Sequence, residues 1–379
     1  MDSATQLADD PSVVQRILDH IDNRTTDLAG SVWREPVENY RSTARFDAEL
    51  DLVLRRHPIP FCPSAALPDA GSYLARDAAG IPVIAVRGRD GIVRAFLNAC
   101  SHRGTQVACG TGCAKALVCP YHGWTYDLDG GLRGVPHDHG FPGLDKNASG
   151  LTRFDATERG GVVCVAQRPL TSSVAAELDQ LPTLVPEQYR LVNHTEIEVA
   201  ANWKIAVEGF LEGYHIRPTH PKTFYPIQYD NLNVVEAFGR NNRIAFPYRN
   251  IEALRTVEPG KRSADGRLTY VYHLFPNAMV ATFPGRIVMV ALEPLTVEST
   301  RFVTYTLSDH HDGSTKADAV LQGEQSFVDM GAKEDRAVIT SIQRSLAANP
   351  REVFEFGLFE GAIGHFHREL TAAIGDRTT

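Results

Sequence analysis

The sequence predicts an α+β protein of two domains, a small antiparallel β domain followed by a larger one that combines sheet and helices. Three observations predict it. At 379 residues the chain exceeds what a single hydrophobic core usually serves. Its first half is written in short β-branched runs cut by Gly and Asp, whereas its second half mixes such runs with stretches of helical period. With 43% apolar and 22% charged residues, the composition is that of an ordinary globular protein.

Residues 1–45 form an N-terminal helical segment that packs on the larger domain. Val13, Val14, Ile17, Leu18 and Ile21 recur at helical spacing in it and predict one amphipathic helix. Residues 46–167 make the β domain, with runs Ile81–Arg87, Gly91–Leu97, Ala116–Cys119, Trp124–Leu128 and Gly161–Ala166. Asp90-Gly91 and Asp129-Gly130 are hairpin-turn dipeptides. Residues 168–379 make the second domain. It opens on a connection holding Pro169, Pro182 and Pro186, continues with a strand over Thr195–Ala200 and a helix over Asn202–Ile216, and takes further strands from Val271–Leu292 and Thr300–Leu307. From Lys316 onward the pattern is helical, interrupted at Gly331 and Pro350.

A net charge of -8 without any Lys/Arg-rich run excludes the electrostatic footprint of a nucleic-acid binder. The acidic stretch Met1–Arg16 lacks the basic and apolar parts of a secretion signal, and the longest apolar run, Ile287–Leu292, is too short to cross a bilayer. The expectation is a cytoplasmic protein with no membrane or nucleic-acid partner. Six cysteines in such a chain read as reduced thiols or metal ligands rather than a disulfide framework.

Four of the cysteines, Cys100, Cys109, Cys113 and Cys119, crowd into twenty positions together with His102, and His122 follows closely. Cys100-Ser-His102 and Cys119-Pro-Tyr-His122 are two Cys/His pairs separated by sixteen residues, each next to turn-forming residues. Two thiolates and two imidazoles fit a structural zinc or a Rieske cluster, where histidines replace cysteines on one iron. Common zinc modules pair like with like. Here each loop carries one thiolate and one imidazole, so each can give its sulfur to one iron and its nitrogen to the other.

The text Cys100-Ser-His102-Arg103-Gly104 and Cys119-Pro-Tyr-His122-Gly123-Trp124 resembles the Rieske domain of bacterial ring-hydroxylating and demethylating oxygenases. Cys109 and Cys113 invite comparison with the disulfide of some respiratory Rieske proteins, a pairing that the oxygenases do not need.

A second constellation lies in the larger domain. Glu208, Glu212 and His215 fall at i, i+4 and i+7 of the predicted helix, Pro218 ends it, and His220 can swing back toward His215. Asn202-Trp203-Lys204, then Glu212-Gly-Tyr-His215 and His220, resembles the catalytic signature of the same oxygenases, in which two histidines and one carboxylate hold ferrous iron with positions free for O2 and substrate. Asp335 is the expected carboxylate. It shares a helical face with Val338, Ile339, Ile342 and Leu346, and an ionised Asp aimed at a core needs a cation or strong donors. Glu334-Asp335 with Gln343 beyond also resembles the family's third-ligand segment, and Asp329 is the reserve. Trp203 and Tyr214 read as core packing. Substrate contacts are expected from Phe224–Tyr229 and from Phe275 to Pro294.

The resemblance spans about residues 46–345 and implies a helix-grip-like catalytic domain, a Rieske [2Fe–2S] cluster and a mononuclear Fe(II). It implies a terminal oxygenase that takes electrons through the cluster to the iron and inserts oxygen from O2 into a small organic substrate, by hydroxylation or demethylation. It further implies an NAD(P)H-dependent reductase, with or without a ferredoxin, and a homotrimer in which Glu212 joins His215 to His122 of a neighbouring copy. Glutamate instead of the commoner aspartate at 212 resembles the branch acting on carnitine-like quaternary ammonium compounds, and Gly209 stands where many relatives carry Asn. An aromatic cis-dihydroxylating dioxygenase is the near alternative. A Rieske electron carrier without oxygenase activity and a zinc-stabilised binding protein are the alternatives of other classes.

Overall fold

The computed structural model describes residues 7–310 and 315–375, with side chains in the long helix after residue 314 described from Asp329 onward. The chain divides into two units, one made of the residues up to Val53 together with Val192 onward, the other of Leu54–Leu191.

Helix α1 (Asp10–Asn23) starts where the Asp9 carboxylate accepts the Ser12 N–H and ends at Arg24 in the left-handed region. It buries Val13, Val14, Ile17 and Leu18, the face expected from the sequence. The segment is tied to the first unit at Ala8, whose N–H donates to Glu236 at 2.9 Å and whose carbonyl accepts from Arg243 at 2.6 Å. Strand β1 (Trp33–Pro36) and helix α2 (Thr43–Glu49) follow.

The second unit is almost entirely sheet. Strands β2 (Ile59–Pro63), β3 (Ser72–Ala78), β4 (Ile81–Arg87), β5 (Val93–Leu97) and β6 (Gly110–Cys113) belong to its larger sheet. Strands β7 (Leu117–Val118), β8 (Thr125–Tyr126) and β9 (Leu132–Gly134) form a small three-stranded sheet, and β10 (Arg153–Arg159) and β11 (Val162–Ala166) complete the larger one in the order β2-β11-β10-β5-β4-β3-β6. Side chains from both sheets, including Ile84, Phe96, Leu117 and Tyr126, enclose one core that also contains Cys100 and Cys119. Helix α3 (Ser172–Leu178) lies in the proline-marked connection.

In the first unit, β12 (Arg190–Val199) leads into α4 (Trp203–Glu208) and α5 (Ile216–Thr219). Strands β13 (Val234–Phe238), β14 (Asn241–Pro247), β15 (Leu268–Leu274), β16 (Ala278–Phe283), β17 (Arg286–Thr296) and β18 (Ser299–Ser308) form an antiparallel meander, with β12 added beside β18. Helix α6 (Thr315–Leu346), strand β19 (Val353–Phe356), which pairs with β1, and helix α7 (Gly361–Gly375) complete the unit. α4 packs on β17 and α6, so Trp203, Ile205 and Val207 enter the same core as Met279, Leu292 and Phe366. Among the described residues no helix is long and apolar enough to cross a membrane.

Three expectations change. The helix over Asn202–Ile216 is two short helices, because Gly209 ends the first and the Glu212 carboxylate then takes the N–H groups of Tyr214 and His215 that helical bonds would have used. Gly331 does not interrupt α6. A single Gly costs a helix only about 1 kcal/mol, and here a Cβ would come within 2.5 Å of the Phe224 ring. Past Pro350 the chain first forms β19 and only then α7.

Candidate functional site

In the second unit the two Cys/His loops repeat one backbone pattern. The N–H of Cys100 donates to the carbonyl of Thr105 and that of Cys119 to Trp124, each five residues on, at 2.8 Å. The N–H groups of Gly104 and Gly123 return to the carbonyls of Cys100 and Cys119 at 2.8 and 3.0 Å. Both glycines have positive φ, +80° and +72°, which the tight return requires and side chains disfavour. Cys100 and Cys119 are buried, and the Tyr126 hydroxyl lies 3.0 Å from the Cys100 sulfur while accepting the Ser101 N–H. His102 stacks on Trp124 with centroids 4.9 Å apart, and its Nδ1 faces Nδ1 of His122 at 3.2 Å. Partial desolvation and the charges of His102 and Arg103 keep the His122 imidazole below its ordinary pKa, which favours the neutral, ligating form. Two buried cysteines and two imidazoles whose Nδ1 atoms face each other fit the donor set of a Rieske cluster.

In the first unit the chain gathers His215, His220 and Asp335, with one ligand atom from each lying within 4.8 Å of the others. His220 Nε2 is 2.9 Å and His215 Nε2 3.7 Å from Asp335 Oδ1, and all three border one cavity. Two imidazoles and a carboxylate converging on a point open to a cavity fit a facial non-haem iron site. His215 precedes α5, His220 follows it, and Asp335 comes from the middle of α6, so the short α5 sets the histidine spacing.

Each histidine is oriented from behind. Nδ1 of His215 bonds to Glu212, which also accepts two N–H groups of its own loop. Burial lowers the His215 pKa, but that bond and the charges of Glu212 and Asp335 outweigh it and leave it raised. Nδ1 of His220 meets Glu334 at 2.8 Å, and the Thr223 hydroxyl donates to the same oxygen at 2.6 Å. Burial pushes the Glu334 carboxyl up, and these two bonds more than offset it, so it lies below the ordinary value. In both rings Nε2 is thereby left facing the cavity, the arrangement in which an outer carboxylate fixes a ligand's tautomer.

The comparisons with known proteins bear on both sites. The family profile described as ring hydroxylating alpha subunit (catalytic domain) matches residues 186–376, and that of the Rieske [2Fe-2S] domain matches residues 57–146. The chain belongs to the ring-hydroxylating alpha-subunit family. It is similar to the carnitine monooxygenase oxygenase subunit of Escherichia coli K12, 27% identical over 374 residues that cover 91% of this chain and 94% of that one. It is 28% identical to the putrescine 2-hydroxylase of Ralstonia nicotianae over 359 residues, covering 90% and 95%. The fold matches the crystal structure of the quaternary ammonium Rieske monooxygenase CntA in complex with L-carnitine with a TM-score of 0.77 at 20% identity, covering 97% and 99% of the chains.

As a member of this ring-hydroxylating family the protein carries a Rieske [2Fe–2S] cluster and a mononuclear iron. It is the oxygenase component that takes electrons through the cluster to the iron and inserts oxygen from O2 into a small organic substrate, and it requires a reductase.

The other residues singled out in the sequence separate into groups. Glu208 does not share the His215 site. It turns into the core, where Tyr40 donates to it at 2.5 Å and His367 lies at 2.8 Å. Trp203 is fully buried, but Tyr214 is 57% exposed because it follows the break in the helix and leans on Phe359 instead. Ile339 and Leu346 are buried, whereas Val338 is 41% exposed, at the rim of the stripe that contains Asp335. Asp329 lines the same cavity. Gly209 also borders it, with room for a Cβ. Cys109 and Cys113 are free and exposed.

The cavity holds about 470 Å³ and takes Phe224 and Gln228 from one expected region and Met279, Ala281, Phe283, Val288 and Val290 from the other. Sequence reasoning missed the role of Glu334, although Glu334-Asp335 was visible as a pair. It also missed Glu49, which accepts from Lys204 at 2.7 Å and from Trp203 at 2.9 Å with both charged side chains wholly buried. A lone Glu in an amphipathic stretch gives no signal of such a partner.

Proposed function

We propose that this chain is a monooxygenase for a small molecule with a cationic nitrogen, hydroxylating or demethylating it next to that nitrogen. The observation that carries the reading is the convergence of His215, His220 and Asp335 on a mostly apolar cavity. In this assignment Cys100 and Cys119 hold one iron of the cluster and His102 and His122 the other, while His215, His220 and Asp335 hold the mononuclear iron. When bound, the cluster supplies one-electron relay and the mononuclear iron supplies activation of O2.

The chain's own residues do the rest. Glu212 and Glu334 keep Nε2 of the two histidines turned to the cavity. Phe210, Phe224, Phe246, Phe283 and Phe302 line it, which excludes water and offers ring faces to a quaternary or protonated nitrogen. Support for the cation comes from two relatives, one named for carnitine and one for putrescine, whose substrates share a cationic nitrogen. The working assembly is a head-to-tail homotrimer, with Glu212 linking His215 to His122 of the next copy. Inter-subunit electron transfer described for a related monooxygenase supports it. Electrons come from NAD(P)H through a separate reductase, directly or through a ferredoxin, in the cytoplasm, where Cys62, Cys109, Cys113 and Cys164 stay reduced.

Anaerobically purified protein is expected to carry about three iron atoms per chain, two in the cluster and one outside it. Asp335→Ala should lose the third iron and product formation while retaining the [2Fe–2S] absorbance. Turnover with a surrogate reductase on quaternary amines, diamines and aromatic acids tests the substrate. A cis-diol product would overturn the monooxygenase assignment, and zinc in place of iron would overturn the enzyme.

A further inference from the structure

Phe224 borders the cavity and stands edge-on to His220, with ring centroids 4.7 Å apart and planes at 68°. The far end of its ring leans on helix α6 at Gly331, a buried position one turn before Asp335 on the same helical face. A Cβ at 331 would lie 2.5 and 2.6 Å from Cε2 and Cζ of the ring, well inside van der Waals contact. The ring therefore occupies the space that a side chain at 331 would fill. Gly209 borders the same cavity and differs, since a Cβ there meets nothing closer than 3.8 Å.

The two backbones that flank this contact are tied together. The Phe224 carbonyl accepts the N–H groups of Ile227 and Gln228 at 3.0 and 2.9 Å, which fixes its own turn. One residue earlier, the Thr223 hydroxyl donates to Glu334 on α6 at 2.6 Å, and Nδ1 of His220 meets the same carboxylate oxygen at 2.8 Å. Moving the helix away would break both bonds and draw Asp335 from the histidines, whereas turning the ring needs only a change of side-chain torsion. His220, 1% exposed, closes another side of the ring, so the direction left open is the cavity. We infer that Gly331 is a positioning residue that sets the largest substrate this site admits, by letting the Phe224 ring lie back against α6 instead of projecting into the cavity. The inference rests on the proposed reading only in taking this cavity as the substrate site, and it adds a limit on size that is independent of substrate charge.

The test compares the wild type, Gly331→Ala, Phe224→Leu and the double variant as iron-loaded holoenzymes, with iron content and the [2Fe–2S] spectrum as controls for folding. Crystal structures of the wild type and Gly331→Ala should show the Phe224 ring turned into a smaller cavity in the variant, with α6 in place. Calorimetric binding of tetramethyl-, tetraethyl- and tetrapropylammonium, ions of one charge and rising size, reads the limit. Gly331→Ala should lose about 10-fold or more in affinity for the largest ion that the wild type binds, and no more than about 2-fold for tetramethylammonium. Leucine lacks the ring atoms that a Cβ at 331 would meet, so in the Phe224→Leu background the same glycine change should move no affinity by more than about 2-fold. Equal losses for all three ions, unchanged affinities, a ring that keeps its place while α6 shifts, or an effect of Gly331→Ala that Phe224→Leu does not remove would each overturn the inference. Should Gly331→Ala fail to fold, the double variant must fold, and its failure would count equally against the inference. A wild type that binds none of the three ions sinks the cationic-substrate reading instead, and the ring position in the two crystals then decides the size limit alone.

Discussion

The two candidate metal sites of this chain are built on opposite plans. In the second unit the four candidate ligands lie between Cys100 and His122, on two loops that close with the same pair of backbone hydrogen bonds and the same left-handed glycine. In the first unit the candidate ligands are 120 residues apart in sequence, from His215 to Asp335, and meet only because α4, α5 and α6 are packed in one place. The first plan stores its geometry in the local backbone, the second in the burial of distant polar partners. Damage to distant partners should therefore harm the histidine-carboxylate site and spare the Cys/His site.

Glu49 offers the largest such effect. Its carboxylate holds Lys204 and Trp203 at the start of α4 and also accepts from Arg45 at 3.0 Å, with no exposure of its own. Burial, with the charge of Arg45, depresses the Lys204 pKa, and Glu49 opposes it. Removing one member of a buried pair strands the other, so Glu49→Ala should cost about 3–5 kcal/mol of unfolding free energy in denaturant melts followed by Trp203 fluorescence. Replacing Lys204 by Met in the same background should recover part of the loss. At low temperature the visible spectrum of the [2Fe–2S] cluster should not change, and a cluster lost together with the helix signal would erase the contrast between the two plans.

The same contrast explains what could be read in the sequence. Cys100, His102, Cys119 and His122 were legible as a set because spacing, turn residues and ligand type all lie within one short stretch. His215 and His220 were legible as neighbours for the same reason, and Asp335 because an acid on an apolar stripe demands compensation. The continuous helix expected over Asn202–Ile216 was wrong because periodicity counts apolar positions and cannot see the Glu212 carboxylate capturing backbone N–H groups. Glu208 was misplaced with it, since its partners Tyr40 and His367 lie 168 and 159 residues away. β19 was hidden because its pairing partner, β1, is at the other end of the chain.

Glu334 lets the comparison be sharpened within the first unit. His215 is steadied by a carboxylate three residues before it, His220 by one 114 residues away on α6. Glu334→Ala should release Nδ1 of His220, weaken Fe(II) or Co(II) binding by about 10- to 100-fold in equilibrium dialysis, and leave the cluster iron in place. Glu334→Gln, which keeps an acceptor oxygen for Thr223 and His220, should fall between the two. Unaltered metal affinity in both variants would show that packing alone orients His220.

Glu360 gives the smallest and most local test of how far buried charge shapes the first unit. Burial, then the neighbouring charges of Glu212 and Glu208, push its carboxyl from 4.5 up to about 7 even though the Gly357 N–H donates to it. A carboxyl raised on folding binds its proton more tightly in the native state, so its contribution to stability is complete below about pH 4.5 and is lost as pH climbs through about 7. The wild type should lose melting temperature relative to Glu360→Gln between about pH 5 and pH 8, by about 1–3 °C because solvent screens a group still partly exposed. Parallel curves for the two proteins would mean that Glu212 and Glu208 are already neutralised by His215, Tyr40 and His367, and that the acids of this unit act as separate pairs rather than as one coupled frame.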